Sequence, residues 1–169
     1  MAKFYEQTIN FCWECPEFYL GGDYPSECCN MIIDSFHGKY FFLSNFYSHP
    51  VLFENIFYPT NEHAFQAAKT LKVETRKRIA ACDTPGKAKA LGRKVQLRPD
   101  WESIKYDIMH QIVLAKFDSQ LKAKLLATGD AQLIEGNTWN DTIWGVCNGK
   151  GTNWLGKILM DVRNELRSK

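Results

Sequence analysis

The chain has no run of about 18 apolar residues, so the sequence predicts no membrane-spanning helix. It also lacks an excess of one charge. Lys and Arg number 21 against 19 Asp and Glu, a formal net charge of +2. A strongly basic nucleic-acid binder is therefore not implied, while a local basic pocket stays open. The first residues, MAKFYEQTINFCWEC, hold no continuous apolar stretch of the kind a signal peptide needs. A cytoplasmic protein is the expectation. Repeats and low-complexity tracts are absent. So are the HExxH, GxSxG and P-loop patterns, and the chemistries built on them drop out. His37, His49, His63 and His110 show no metal-ligand spacing, and nothing points to a Cys–His nucleophile pair.

What is present fits one domain. At 169 residues a second core is not expected, and 45% apolar residues suffice for the first. Aromatics are rich at 14%, which suits a core or a pocket that stacks planar ligands. Six cysteines need a reason. Cys12, Cys15, Cys28 and Cys29 fall in a segment, residues 1–31, that mixes aromatics and glycines without helical period. Cys12-x-x-Cys15 is half of a zinc site, with the adjacent pair Cys28-Cys29 as a less usual second half. The alternative is four reduced thiols in an N-terminal extension. Cys82 and Cys147 stand alone and read as free thiols.

From residue 32 the pattern tightens. FHGKYFFLSNFY (36–47) is aromatic and turn-rich, and VLFENIFYPT (51–60) predicts a short hairpin with Glu54-Asn55 in its turn. Helices dominate thereafter. Thr60 or Asn61 caps one whose apolar side carries Ala64, Phe65, Ala68 and Leu71. Glu74 to Ala81 is a second. Thr84-Pro85 opens a third toward Arg93. Asp100 caps a long helix from Trp101 to Phe117, with Ile104, Ile108, Ile112 and Ala115 as its buried stripe. Gln120 to Ala127 follows, closed by Gly129. Residues 136–153 are turn-rich, and Asn153 caps a last amphipathic helix with Leu155, Ile158, Leu159, Val162 and Leu166 inward. The expected fold class is mainly α with a minor β hairpin, one compact domain over 32–169.

Four places can carry chemistry. Glu62, Gln66 and Lys69, spaced by four and three, share a helix face. That face is either solvated, with Glu62 favoured by the helix dipole, or it offers a general acid or base with polar neighbours. Asn140-Asp141-Thr142-Ile143-Trp144-Gly145 either holds a turn through its side chains or supplies Asp141 as a second carboxylate and Trp144 as a stacking ring. Glycines from Gly145 to Gly151, Lys150 and the following helix N-terminus suit a phosphate, or form a flexible loop. Trp101 stacks on a base or packs on the core. Ser44, Asn45, Phe46 and Tyr47 form a pocket wall or a core edge.

FLSNF (42–46), YPTNEHAFQAAK (58–69), LGRKVQLRPDW (91–101), MHQIVLAKF (109–117), LLATGDAQLIE (125–135), NDTIWG (140–145) and GKGTNWLGKILMDVR (149–163) occur in this order. Together they resemble the NADAR superfamily, in particular its YbiA-like members, over about residues 32–167. The resemblance implies a mostly α fold and hydrolysis of N-glycosidic bonds. The substrate it implies is an early riboflavin-pathway intermediate, a ribosylamino-pyrimidine 5′-phosphate. Its alternatives are ADP-ribosylated guanine in DNA, or a non-catalytic ADP-ribose-binding module. A structural or partner-binding protein, with the cysteine-rich segment as its working part, is the rival outside this class. The family's site residues carry over onto Glu62 and Asp141 as catalytic carboxylates and onto Trp101 and Trp144 as binders. Asn45 and Lys69 match motif positions nearby, and Lys150 joins them as a phosphate ligand. No metal or redox cofactor is required.

Overall fold

The computed structural model describes residues 31–169, so Cys12, Cys15, Cys28 and Cys29, and the zinc expectation attached to them, lie outside the described residues. Within those residues lie six α-helices, one 3-10 helix and six short strands. The mainly α expectation holds.

Turn chemistry sets the hairpin. Glu54 and Asn55 both adopt left-handed backbone, φ 46° and 63°, as a two-residue primed turn demands. β2 (Val51–Phe53) and β3 (Ile56–Tyr58) therefore pair antiparallel, with Val51 opposite Tyr58. Alternation sends Val51, Phe53 and Tyr58 inward and leaves Leu52 and Phe57 outward. The aromatic stretch before it, where turns were expected, winds into the 3-10 helix Gly38–Leu43, which buries Phe42 and Leu43. Two further strand pairs were not expected. β1 (Ile32–Ile33) runs parallel to β4 (Gln132–Leu133), and β5 (Gly136–Asn137) parallel to β6 (Val146–Cys147). Two-residue strands leave no period to read.

The helices are α1 (Asn61–Ala68), α2 (Val73–Ala80), α3 (Pro85–Gly92), α4 (Trp101–Lys116), α5 (Ser119–Leu126) and α6 (Trp154–Arg167). Thr60 caps α1 and Thr84 caps α3, each accepting a backbone N–H from three residues on. Asp100 precedes α4 but its carboxylate turns back to Arg98, and Asn153 leads α6 in left-handed backbone without capping it. The stripe of α4 differs from expectation. Ile108 and Ile112 are buried, Met109 and Val113 join them, and the fourth-residue row continues to Lys116 while Ala115 is exposed. Leu71 is exposed, beyond the end of α1.

α1 sits in the middle, packed by α2, α3 and α4, and all eight of its residues are buried. α6 closes the other side with Leu155, Ile158, Leu159, Val162 and Leu166 inward, as expected. It lies so close to β4 that a Cβ on Gly156 would overlap the Leu133 carbonyl and the Asn153 side chain. That carbonyl is held, because Asn153 Nδ2 donates to it at 2.8 Å. Gly156→Ala should therefore lower unfolding free energy by roughly 1–3 kcal/mol, read by chemical denaturation. An unchanged midpoint would show that β4 can retreat.

Candidate active site

The capping duty at the start of α1 belongs to Thr60, whose hydroxyl accepts from His63 N–H. Glu62 is free of it. Its own N–H donates to the Asn45 carbonyl at 3.0 Å, and its side chain is 5% exposed. The solvated-face reading of Glu62 and Gln66 is overturned, because α3 covers that face. A Cβ on Gly92 would overlap the Gln66 side chain, so glycine is what lets α3 approach. Gln66 Nε2 donates to Glu62 Oε1 at 2.7 Å. Burial raises the Glu62 pKa above its ordinary value. Lys89, the Gln66 hydrogen bond, Lys69 and Arg93 pull it back. Lys69 is itself lowered by burial, with Glu62 opposing.

The neighbouring imidazole takes no part. His63 Nδ1 meets the Thr60 hydroxyl at 2.8 Å and Nε2 meets the Cys82 carbonyl at 3.0 Å. Nε2 therefore carries the proton and donates to that carbonyl. Burial lowers the pKa and keeps the ring neutral. His63 ties α1 to the residues after α2.

Asp141 shows the turn-holding role in one oxygen. Oδ1 accepts from Ile143 N–H at 3.1 Å and Trp144 N–H at 2.9 Å. Asn137 fixes the loop from below, accepting from Asp141 N–H and donating to the carbonyls of Asp141 and Val146. The charge of Asp141 acts on Glu135, a residue that sequence reasoning passed over. No local signal marked it: Glu135 follows the two-residue β4, too short to carry a period, and only the fold buries its Oε2. Lys89 and Lys116 were also missed. Lys89 shares a helix face with Gly92, which packs on Gln66. Lys116 is 1% exposed, donates to the Ser44 carbonyl at 2.8 Å, and has its pKa pushed down by burial.

Trp101 and Trp144 come together through Phe65. Their rings lie 5.1 Å and 5.0 Å from it, tilted and edge-on. Trp154 and Tyr106 extend the series at 5.4 Å steps. Trp101 is 5% exposed, Trp144 half-buried. Lys69 Nζ stands 5.8 Å from the Phe65 ring and 5.9 Å from that of Trp101. Asn45 accepts from Asn61 Nδ2 at 3.3 Å and donates to Met109 Sδ at 3.4 Å, so it frames the start of α1.

The helix N-terminus does not offer the phosphate cradle expected of it. Trp154 and Leu155 N–H groups already donate to the Ile143 and Trp144 carbonyls, at 3.1 and 3.0 Å. Lys150 is exposed at the close of a turn in which it and Cys147 exchange backbone bonds. The cations gathered around the buried carboxylate are instead Lys69, Lys89 and Arg93. An open, apolar cavity of about 290 Å³, lined by Lys39, Tyr40, Phe42, Lys124, Ala127 and Thr128, holds none of these carboxylates. Among the described residues no three His, Cys, Asp or Glu side chains gather to hold a metal ion, and no helix is long and apolar enough to cross a membrane.

N-glycosidase YbiA of Shigella boydii is 42% identical over 128 residues, 73% of this chain and 79% of its own. The NMR structure of the E. coli protein YbiA matches with a TM-score of 0.73 at 38% identity, over 82% of this chain and 86% of that one. A riboflavin biosynthesis protein of Vibrio vulnificus is 37% identical over 139 residues, 79% of this chain and 37% of its own length. By this likeness the enzyme is a glycosyl hydrolase. The sequence model of the NADAR domain matches residues 34–167, and the chain belongs to that family.

Burial of Glu62 has a cost that pH reveals. Its pKa is raised on folding, so the folded protein holds the proton more tightly than the unfolded chain. Stability is lost as pH climbs from the ordinary value of 4.5 through the folded value. Glu62→Gln should unfold at a higher denaturant midpoint than wild type at pH 8, with the gap closing toward pH 4. A variant weaker than wild type at pH 8 would mean that the three cations outweigh burial.

Proposed function

We propose that this protein hydrolyses the C1′–N bond between a phosphorylated ribose and a nitrogen heterocycle, most closely a ribosylamino-pyrimidine 5′-phosphate of riboflavin synthesis. The observation that carries the reading is a buried carboxylate, Glu62, hydrogen-bonded by Gln66 and within electrostatic reach of Lys69, Lys89 and Arg93. A carboxylate can face a sugar carbon that turns cationic, while the same cations hold the phosphate a few ångströms away. The likeness to a riboflavin biosynthesis protein supports the choice of heterocycle.

Cleavage builds positive charge on the ribose and negative charge on the departing base. Glu62 and Asp141 are the carboxylates proposed to stabilise the cation and to activate water. Trp144, the more open of the two tryptophans, flanks the base, with Trp101 behind Phe65 fixing the wall; base stacking is worth roughly 1–3 kcal/mol. Asn45 holds Glu62 in place through its carbonyl. Lys69 binds phosphate. Lys150, on its exposed turn, is the outermost of the proposed ligands. The chemistry belongs to a cytoplasmic domain spanning residues 32–169 and calls on no cofactor.

Mass spectrometry of two incubations tests this. One holds the ribosylamino-pyrimidine phosphate, the other DNA bearing ADP-ribosylated guanine. Ribose 5-phosphate from the first is the expected product. Glu62→Gln and Asp141→Asn should each keep the fold and reduce kcat by orders of magnitude. Free ADP-ribose from the second alone would move the enzyme to DNA adduct removal. Binding of ADP-ribose with no product from either would make it a reader.

A further inference from the structure

We propose that Glu135 is a third carboxyl of the active site and the group that hands a proton to the departing nitrogen heterocycle, an inference that rests on the N-glycosidase reading above. Its place in the fold is rigid. It joins β4 to β5, its N–H donates to Asn153 Oδ1 at 3.0 Å, and its carbonyl accepts from Val146 N–H at 2.8 Å. A Cβ on Gly145 would overlap that carbonyl and come within 3.1 Å of Glu135 Cγ, so the side chain lies against the Asp141–Gly145 turn.

The carboxyl is placed where a structural glutamate would not be left. Oε2 is buried and has no hydrogen-bond partner. A buried salt bridge to Lys116 would be the ordinary reason for such a residue, yet the Lys116 ammonium gives its hydrogen bond to the Ser44 carbonyl and leaves Oε2 alone. Three charged groups face Glu135: Asp141 from the loop after β5, Lys89 from α3 and Lys116 from α4. Burial first, then the Asp141 charge, push its pKa up to about 7 against the two lysines.

Lys89 acts on both Glu135 and Glu62, so one ammonium lies within electrostatic reach of both carboxyls. Their surroundings differ in kind. Glu62 receives an amide hydrogen from Gln66 and has three cations opposing its burial, contacts that favour the anion although burial still holds its pKa above the ordinary value. Glu135 has an orphan oxygen and an anion beside it, an arrangement for a neutral acid. Burial raises both carboxyls, and it is the contacts that assign Glu62 the base's part and Glu135 the acid's.

The step balances. As the C1′–N bond breaks, its electron pair goes to nitrogen, and the Glu135 proton moves to the departing base. Water adds to C1′ through oxygen and loses its proton to the Glu62 carboxylate. Exchange with solvent returns a proton to Glu135 and frees Glu62. A group that donates must be protonated, so turnover falls as pH rises through its pKa.

The test is kcat against pH for wild type and Glu135→Gln on two substrates. One is the N-glycoside cleaved in the incubations above. The other is 4-nitrophenyl riboside 5-phosphate, whose leaving group departs without a proton. On the N-glycoside, Glu135→Gln should lose about 10²- to 10⁴-fold in kcat and lose the alkaline fall. On the nitrophenyl substrate it should stay within about threefold of wild type, as a leaving group needing no acid requires. Equal losses on both substrates, a wild-type rate on the N-glycoside, or a surviving alkaline fall would each overturn the assignment. If the variant does not fold, wild type decides: an alkaline fall on the N-glycoside alone supports Glu135, and a fall on both or on neither overturns it. Wild-type protein inert on every N-glycoside would overturn the N-glycosidase reading and this assignment together. An active wild type with an unaffected variant overturns only the assignment.

Discussion

A carboxylate inside a helix that is buried on every side is the constraint around which the molecule is arranged. Eight buried residues of α1 include four polar ones, and each unpaired polar atom in such a place is costly. Asn61 reaches Asn45, Glu62 takes the amide of Gln66, and His63 is held between Thr60 and Cys82. Asn45 and Cys82 come from separate stretches of chain, so their bonds to α1 also fix where those stretches go, while Asn61 Oδ1 and Gln66 Oε1 are buried without a partner. α3 can close over Gln66 only because Gly92 has no side chain. Closure in turn brings Lys89 and Arg93 to Glu62, and the site's electrostatics follow from packing.

Aromatic packing sets the other wall. Trp101, Phe65, Trp144, Trp154 and Tyr106 touch in series, mostly edge-on, the orientation in which one ring's positive rim meets another's negative face. The series runs from α4 through α1 to the Asp141 loop and α6, then back to α4. One substituted ring would therefore loosen a loop, not merely a local contact.

Much of this was legible. Apolar spacing marked the helices, Thr60 and Thr84-Pro85 marked two starts, and Glu54-Asn55 marked the hairpin turn, because local geometry dictates these residues. The ordered motifs pointed to the family. The misses have a common cause. Glu135, Lys89 and Lys116 matter through burial by segments distant in sequence, and a charged residue in a strand link or on a helix carries no local mark of what covers it. The capping expectations failed where other partners took the side chains: neighbouring Arg98 holds the Asp100 carboxylate, and Leu133 and Glu135, distant in sequence, take Asn153. The glycine-rich run misled in the opposite direction, looking like an anion cradle when its helix amides were already donated within the chain.

Those donated amides couple the loop to the helix. Thr142, Ile143 and Trp144 supply the carbonyls that Thr152, Trp154 and Leu155 bond, as a preceding turn of helix would. The Asp141 loop is thus a surrogate first turn of α6. It cannot open as a hinged flap without breaking those bonds to the helix start. Length changes between residues 142 and 152, commonplace in surface loops, would here shift the frame of the last helix.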